Sequence, residues 1–132
     1  GDVDTLVIIM RLENGAIAVI DNSRQAVYGF DQRIEAFGSK GCVRTENKVP
    51  TSTLLYTADS VESEKPLYFF PQRYERTYGE EISRFAEAIA DDTETPVTGI
   101  DGLRPMLIGL AVKEALQTGA PVRVRTLEEL NI

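Results

Sequence analysis

Thr5-Leu6-Val7-Ile8-Ile9-Met10-Arg11-Leu12-Glu13-Asn14-Gly15-Ala16-Ile17-Ala18-Val19-Ile20-Asp21-Asn22 is the stretch that decides the fold. From Leu6 to Met10 it is apolar without a break, the pattern of a strand covered on both faces; a half-exposed strand alternates apolar with polar residues. Asn14-Gly15 then interrupts it, and because both residues tolerate positive φ the pair predicts a two-residue hairpin turn, with residues 16–22 as the returning strand. Residues 32–37 place Ile34 and Ala36 on one face and Arg33, Glu35 and Phe37 on the other. Gly38-Ser39-Lys40-Gly41 turns the chain into a strand over 42–46, a second hairpin. Residues 50–52 read as a loop, 53–58 as a fifth strand, 59–65 as a disordered acidic loop and 67–70 as a short apolar run before Pro71.

Helices follow the hairpins. Thr77-Tyr78-Gly79-Glu80 matches the capping box, in which hydroxyl and carboxylate each satisfy an orphan backbone N–H, and predicts a helix start there. Tyr78, Ile82, Phe85 and Ile89 then form one apolar stripe running to about residue 90. A second helix is expected over 101–117, capped by Asp101, with Pro105 in its first turn, a stripe of Leu103, Leu107, Leu110 and Ala111, and Gly119 and Pro121 at its end. Residues 122–124 read as a last strand and the tail as a helical turn. With no repeat, low-complexity tract or linker, residues 1–132 read as one domain. The fold class is α+β: an open, mainly antiparallel five- to six-stranded sheet with helices on one face. Two helices cover only one face, yet the first strand is apolar on both. The remaining patch, on the order of several hundred Å², exceeds what monomers tolerate and predicts packing of that face on another subunit or domain.

Composition excludes much chemistry. The 132 residues hold Lys+Arg 14 against Asp+Glu 21, a formal net charge of −7, and 42% hydrophobic residues. Histidine is absent, so this chain contributes no Ser-His-Asp or Cys-His system, no histidine zinc ligand and no histidine proton shuttle. Cys42 is the single cysteine; it reads as a buried structural thiol in a reducing, cytoplasmic compartment. The acidic balance argues against nucleic acid as a partner, since phosphate backbones require a basic stripe. No apolar run approaches the roughly 18 residues of a membrane span. Gly1-Asp2-Val3-Asp4 lacks the basic n-region of a signal peptide and an initiator methionine, which reads as a piece cut from a longer chain.

Glu80-Glu81, Asp91-Asp92 and Glu128-Glu129 are adjacent pairs whose side chains do not face each other on a helix, and they read as solvated charge. Residues 59–64 carry three acids without the glycine turn of a calcium loop. No glycine-rich dinucleotide or Walker loop is present; Gly38-Ser39-Lys40-Gly41 precedes a strand pattern instead of a helix. The informative stretch is Asp21-Asn22-Ser23-Arg24-Gln25-Ala26-Val27-Tyr28-Gly29-Phe30-Asp31-Gln32-Arg33. Two readings fit it. These polar groups at strand ends line a pocket for a polyhydroxylated ligand, or Asn22, Ser23 and Gly29 form turns while Arg24 and Arg33 pair with surface acids and Tyr28 caps a core edge.

In their order along the chain, the runs 1–5, Glu13-Asn14-Gly15, 20–33 and Phe37-Gly38-Ser39-Lys40-Gly41 closely resemble the C-terminal domain of the glucose–fructose oxidoreductase and inositol dehydrogenase family. Phe70-Pro71-Gln72-Arg73-Tyr74, residues 78–89, and Thr95-Pro96-Val97-Thr98-Gly99 leading into Asp101-Gly102-Leu103 extend the resemblance over nearly the whole chain, with the first half specific for the inositol branch. The resemblance implies an N-terminal Rossmann domain for NAD or NADP outside this chain, and catalytic Lys, Asp and His residues that map to no position in it. It implies no catalytic, cofactor or metal residue here and an inactive isolated chain. It implies a C-terminal substrate-binding and oligomerisation domain, in a homo-oligomer (dimer or tetramer), of an NAD-dependent enzyme that oxidises a cyclitol ring hydroxyl to a ketone. Tyr28 is the first candidate for a hydroxyl contact to the cyclitol. Arg24 either joins it or orders the loop, Tyr74 either reaches the same pocket or packs between sheet and helix, and Asp31 is the fourth candidate. The alternatives are a stand-alone, non-catalytic polyol-binding or assembly module and a dehydrogenase of another sugar or cyclitol.

Overall fold

The apolar run forms β1 (Thr5–Arg11) and pairs antiparallel with β2 (Ile17–Ser23), Ile8 opposite Ile20 and Ile9 opposite Val19. Side chains alternate across a strand, so Leu6, Ile8, Met10 and Ala18 share one face, which is half-buried, and Val7, Ile9, Ile17 and Val19 share the other, which is exposed. The connection is a three-residue loop, not the two-residue turn expected. The Leu12 N–H donates to the Ala16 carbonyl at 2.8 Å and the Gly15 N–H to the Leu12 carbonyl at 2.9 Å. Only Gly15 takes positive φ (85°), and the Asn14 side-chain oxygen accepts the Ala16 N–H at 3.0 Å. Asn14 thus acts through its side chain, and glycine alone supplies the left-handed residue that closes such a loop.

This computed structural model describes residues 3–130, so Gly1-Asp2 of the motif run and the last two positions of the 1–132 span lie outside the described residues. The chain divides into two compact units, one ending at Glu80 and the other beginning at Glu81. In the first, β3 (Ile34–Gly38) pairs with β4 (Gly41–Thr45) and β5 (Leu54–Tyr56) with β6 (Val61–Ser63). The acidic segment expected to be a disordered loop therefore carries β6. Thr57 and Ser60 close its turn, with the Thr57 N–H on the Ser60 carbonyl at 2.9 Å and the Ser60 N–H on the Thr57 hydroxyl at 3.0 Å. The single five- to six-stranded sheet is corrected to three two-stranded sheets. Cys42 is exposed, not a buried thiol, because both strands of its hairpin are exposed along their length.

Helix α1 (Phe70–Ala90) starts seven residues before the position the capping box predicted. Gln72 replaces that box: its Oε1 accepts the Tyr68 N–H at 3.0 Å and the Phe69 N–H at 3.3 Å. Pro71 fits the first turn, where its missing N–H removes only a donor that has no helical partner. Thr77 is consequently inside the helix. Tyr78, Ile82, Phe85 and Ile89 are exposed, and Ala88 is the buried residue of α1. In the second unit α2 (Gly99–Thr118) is capped by Thr98, not Asp101. The Thr98 hydroxyl accepts the Asp101 N–H at 3.4 Å and Asp101 Oδ2 accepts the Thr98 N–H at 2.9 Å, a complete capping box. Starting earlier, the helix carries Pro105 past its first turn. Leu107 is buried on the expected stripe and Gly119 caps the end in the left-handed region.

Residues 121–126 are irregular instead of a last strand. The tail does end in a helical turn, Glu128–Leu130, where Glu129 accepts the Thr126 N–H at 2.9 Å and pairs with Arg123. Glu129 is therefore a capping group and not merely solvated charge. Among the described residues no helix is long and apolar enough to cross a membrane.

One backbone approach in the first unit is tight. Gly29 has φ 136°, and a Cβ there would lie 2.6 Å from the Pro66 carbonyl oxygen. The adjacent Phe30 N–H donates to the Leu67 carbonyl at 2.8 Å, which fixes the spacing. Gly29→Ala is expected to destabilise the fold by about 1–3 kcal/mol in urea unfolding; an unchanged midpoint would show that the 66–67 segment moves freely away.

Candidate functional site

The polar stretch after β2 forms a loop fastened at several points within the first unit. The Arg24 N–H extends the β1–β2 ladder to the Asp4 carbonyl at 2.9 Å, and the Thr5 and Ser23 hydroxyls pair across it at 2.9 Å. Gly29 closes a turn onto the Ala26 carbonyl at 3.2 Å. Phe30 then meets Leu67, whose N–H donates to the Lys48 carbonyl at 3.0 Å. The Gln32 N–H donates to the Asn47 side-chain oxygen at 2.8 Å, and the Gln32 carbonyl accepts from Arg73 of α1 at 3.1 Å. The Phe30 ring stands edge-on to Tyr74 with centroids 6.0 Å apart.

Asp31 is the centre of this loop. Its Oδ1 accepts Arg33 Nε at 2.8 Å and Asn47 Nδ2 at 2.7 Å; its Oδ2 accepts Arg33 Nη2 at 2.8 Å and the Tyr28 hydroxyl at 2.5 Å. A carboxylate offers about four lone-pair positions, so all are taken. Its side chain is 15% exposed, against 57% for Arg33. The Arg33 fork, with the Tyr28 and Asn47 donors behind it, holds the Asp31 carboxyl well below the usual carboxylate range. The Tyr28 hydroxyl is pushed up from its ordinary value chiefly because its proton is held in the hydrogen bond to Asp31, with desolvation and the Asp31 charge adding to the shift. An ionised acid with every lone pair engaged neither receives a ligand proton nor takes a ligand hydroxyl.

Of the four candidates, the structure joins Tyr28 and Asp31 directly and connects Tyr74 to them through Phe30. Tyr28 is 46% exposed, so part of its surface is open to a ligand. Tyr74 is packed by Phe30, by Tyr78 at 6.5 Å, and by the Arg73 guanidinium 5.9 Å above its ring. Arg24 stands apart: no hydrogen bond or ion pair of its guanidinium occurs among the described residues, and only its backbone is held. Asn47 and Arg73 were not singled out by sequence. Each is one polar residue in a polar stretch, and only folding brings them to residues 31 and 32. Arg33 was legible as a partner for an acid, as it proves to be. Gly38-Ser39-Lys40-Gly41 closes the β3–β4 hairpin, so it does not form the strand-to-helix loop that cradles a dinucleotide pyrophosphate.

Residues 1–124 match the family model described as the oxidoreductase family, C-terminal alpha/beta domain. The chain is 52% identical over 130 residues to the oxidoreductase YrbE of Bacillus subtilis, covering 98% of this chain and 38% of that protein. It is 42% identical over 124 residues to the myo-inositol 2-dehydrogenase of Thermotoga maritima, covering 94% of this chain and 37% of that enzyme. The crystal structure of a myo-inositol dehydrogenase from Corynebacterium glutamicum superposes with a TM-score of 0.83 at 35% identity, over 93% of this chain and 37% of that one. The chain thus spans well under half the length of the relatives it matches.

The carboxylate cluster has a pH signature. Asp31 is depressed in the fold and titrates near 3.9 when unfolded, so between the two values the unfolded state binds more protons. Stability from Asp31 is fully present above the unfolded value and is lost as pH falls through the folded one. The difference in urea midpoint between the wild type and Asp31→Asn is expected to be constant from neutral pH down to about pH 5 and to narrow below about pH 4. A difference that persists unchanged into strong acid would show that the carboxylate charge does not hold the loop.

Proposed function

The chain belongs to the oxidoreductase family in its C-terminal alpha/beta domain, and from that membership we propose that it orients the substrate and assembles the subunits of an NAD-dependent inositol 2-dehydrogenase-like enzyme. The observation that carries this reading is Tyr28: half-exposed, with its hydroxyl fixed by Asp31 in a loop tied to α1. A fixed phenol at an open edge suits a ring whose hydroxyls all want a partner. The myo-inositol dehydrogenases among the relatives support a cyclitol as the substrate class.

In the full-length enzyme the reaction would be the oxidation of a cyclitol ring hydroxyl to a ketone, with NAD, held by residues outside this chain, as the group that would take up the electrons. The cofactor supplies the redox chemistry. We assign base and cofactor to residues outside this chain, which supplies no histidine and whose Gly38-Ser39-Lys40-Gly41 closes a hairpin, and the isolated chain is accordingly expected to be inactive. Its own share is orientation, through Tyr28, with Tyr74 as the packed support behind the loop. Asp31, with its lone pairs engaged, leaves the list of direct ligand contacts. Arg24, just after β2 and with no side-chain partner among the described residues, stays as a second polar contact. The exposed face of Val7, Ile9, Ile17 and Val19 is assigned to contact with another subunit, in a dimer or tetramer.

Tyr28→Phe in the full-length protein is expected to raise KM for myo-inositol about 2- to 10-fold with the thermal midpoint little changed; unaltered kinetics would remove Tyr28 from the site. The isolated chain with myo-inositol and NAD is expected to yield no NADH, and turnover by it would overturn the assignment of the chemistry elsewhere. Light scattering of the full-length protein is expected to give a dimer or tetramer, whereas a monodisperse monomer at high concentration would overturn the role given to the exposed strand face.

A further inference from the structure

A phenol has one proton and two lone pairs, and at Tyr28 the proton is already assigned. The Tyr28 hydroxyl donates it to Asp31 Oδ2, oxygen to oxygen 2.5 Å. Asp31 cannot turn to release it, because the Arg33 fork grips both carboxylate oxygens and Asn47 holds Oδ1. Asn47 is itself fixed, since its side-chain oxygen accepts the Gln32 N–H at 2.8 Å. Only lone pairs of the Tyr28 oxygen therefore remain for a ligand.

We propose that Asp31 is a positioning residue that holds the Tyr28 proton and so presents Tyr28 to the ligand as a hydrogen-bond acceptor, requiring a hydroxyl, not a carbonyl or ether oxygen, at that point. This rests on the Tyr28 contact proposed above and specifies its polarity. A cyclitol offers chemically similar hydroxyls around one ring, and oxidation turns one of them into a carbonyl. A ring seated with its reacting carbon at Tyr28 would end with two acceptor oxygens face to face and no proton between them, which is costly. The Tyr28–Asp31 pair thus favours binding registers in which the hydroxyl at Tyr28 is one that is not oxidised. It selects the ring position that reacts without touching the reaction.

The test uses full-length wild type, Tyr28→Phe and Asp31→Asn with myo-inositol and its monodeoxy-monofluoro analogues, since a C–F group cannot donate. At one ring position fluorine is expected to raise KM about tenfold in the wild type, to carry no penalty in Tyr28→Phe, and to carry a reduced penalty in Asp31→Asn, where the freed phenol proton turns outward. In parallel, NMR of 13Cζ-labelled tyrosine reads the ionisation of Tyr28 without reference to any substrate. It is expected to lie above the ordinary tyrosine value in the wild type and to return towards it in Asp31→Asn.

A fluorine penalty of equal size in all three proteins, or Tyr28 ionising alike with and without the Asp31 carboxylate, overturns the proposal. If NMR shows the held proton but Tyr28→Phe leaves KM for myo-inositol unchanged, the Tyr28 contact itself is what fails. Tyr28→Phe leaves the Arg33 fork and Asn47 on Asp31, so the kinetic comparison stands even if Asp31→Asn loosens the loop.

Discussion

A carboxylate withdrawn from most of its water must have its lone pairs met by donors, and Asp31 imposes that demand on the first unit. Tyr28 comes from one side of the turn, Arg33 from the start of the β3 hairpin, and Asn47 from just beyond β4. Satisfying one side chain therefore closes a loop of the chain from residue 28 to residue 47. Gln32, between these anchors, passes the constraint to α1 through Arg73, and Gly29 allows the backbone close enough to Pro66 for Phe30 to bond Leu67. Residues 24–33 thus have a defined shape although they contain neither helix nor strand.

The architecture was legible where local chemistry alone decides it. Leu6 to Met10 announced a strand, Asn14-Gly15 a reversal, and Gly119 the end of α2 because few other residues accept its left-handed backbone. The helix starts were misread because a Thr-x-x-acid pattern caps only where the preceding residues are not already helical. Thr77 lies within a helix that Gln72 has started, whereas Thr98 and Thr126, at real helix starts, use the same chemistry with Asp101 and Glu129. Strand pairing beyond a hairpin is a long-range property. Local patterns identified β1 to β5 and paired β1 with β2 and β3 with β4, but not how one hairpin relates to the next, and the predicted single sheet resolves into three pairs.

The candidate site shows the same division. Tyr28 and Asp31 were found because they sit three residues apart in an unusually polar run. Their roles were not found, because role depends on Asn47, sixteen residues from Asp31 in sequence, and on the fork geometry of Arg33. A carboxylate looks like a ligand contact in sequence until its partners are counted. Tyr74 was left between pocket and packing, and the structure shows its ring edge-on to Phe30 and Tyr78.

The three hairpins carry a further consequence, for handling the chain on its own. Each strand of β1–β2 has its one partner, and its outer edge presents backbone donors and acceptors to whatever arrives. Leu6 to Met10 on that edge is a charge-free, strongly β-forming window of the kind that seeds cross-β stacking when two copies meet. The charges that interrupt such growth stand at its borders, Asp4 before it and Arg11 after it, and they act as gatekeepers. Neutralising either would leave the run without a charged stop on that side, so these two residues guard solubility at a strand whose interior contains no charge.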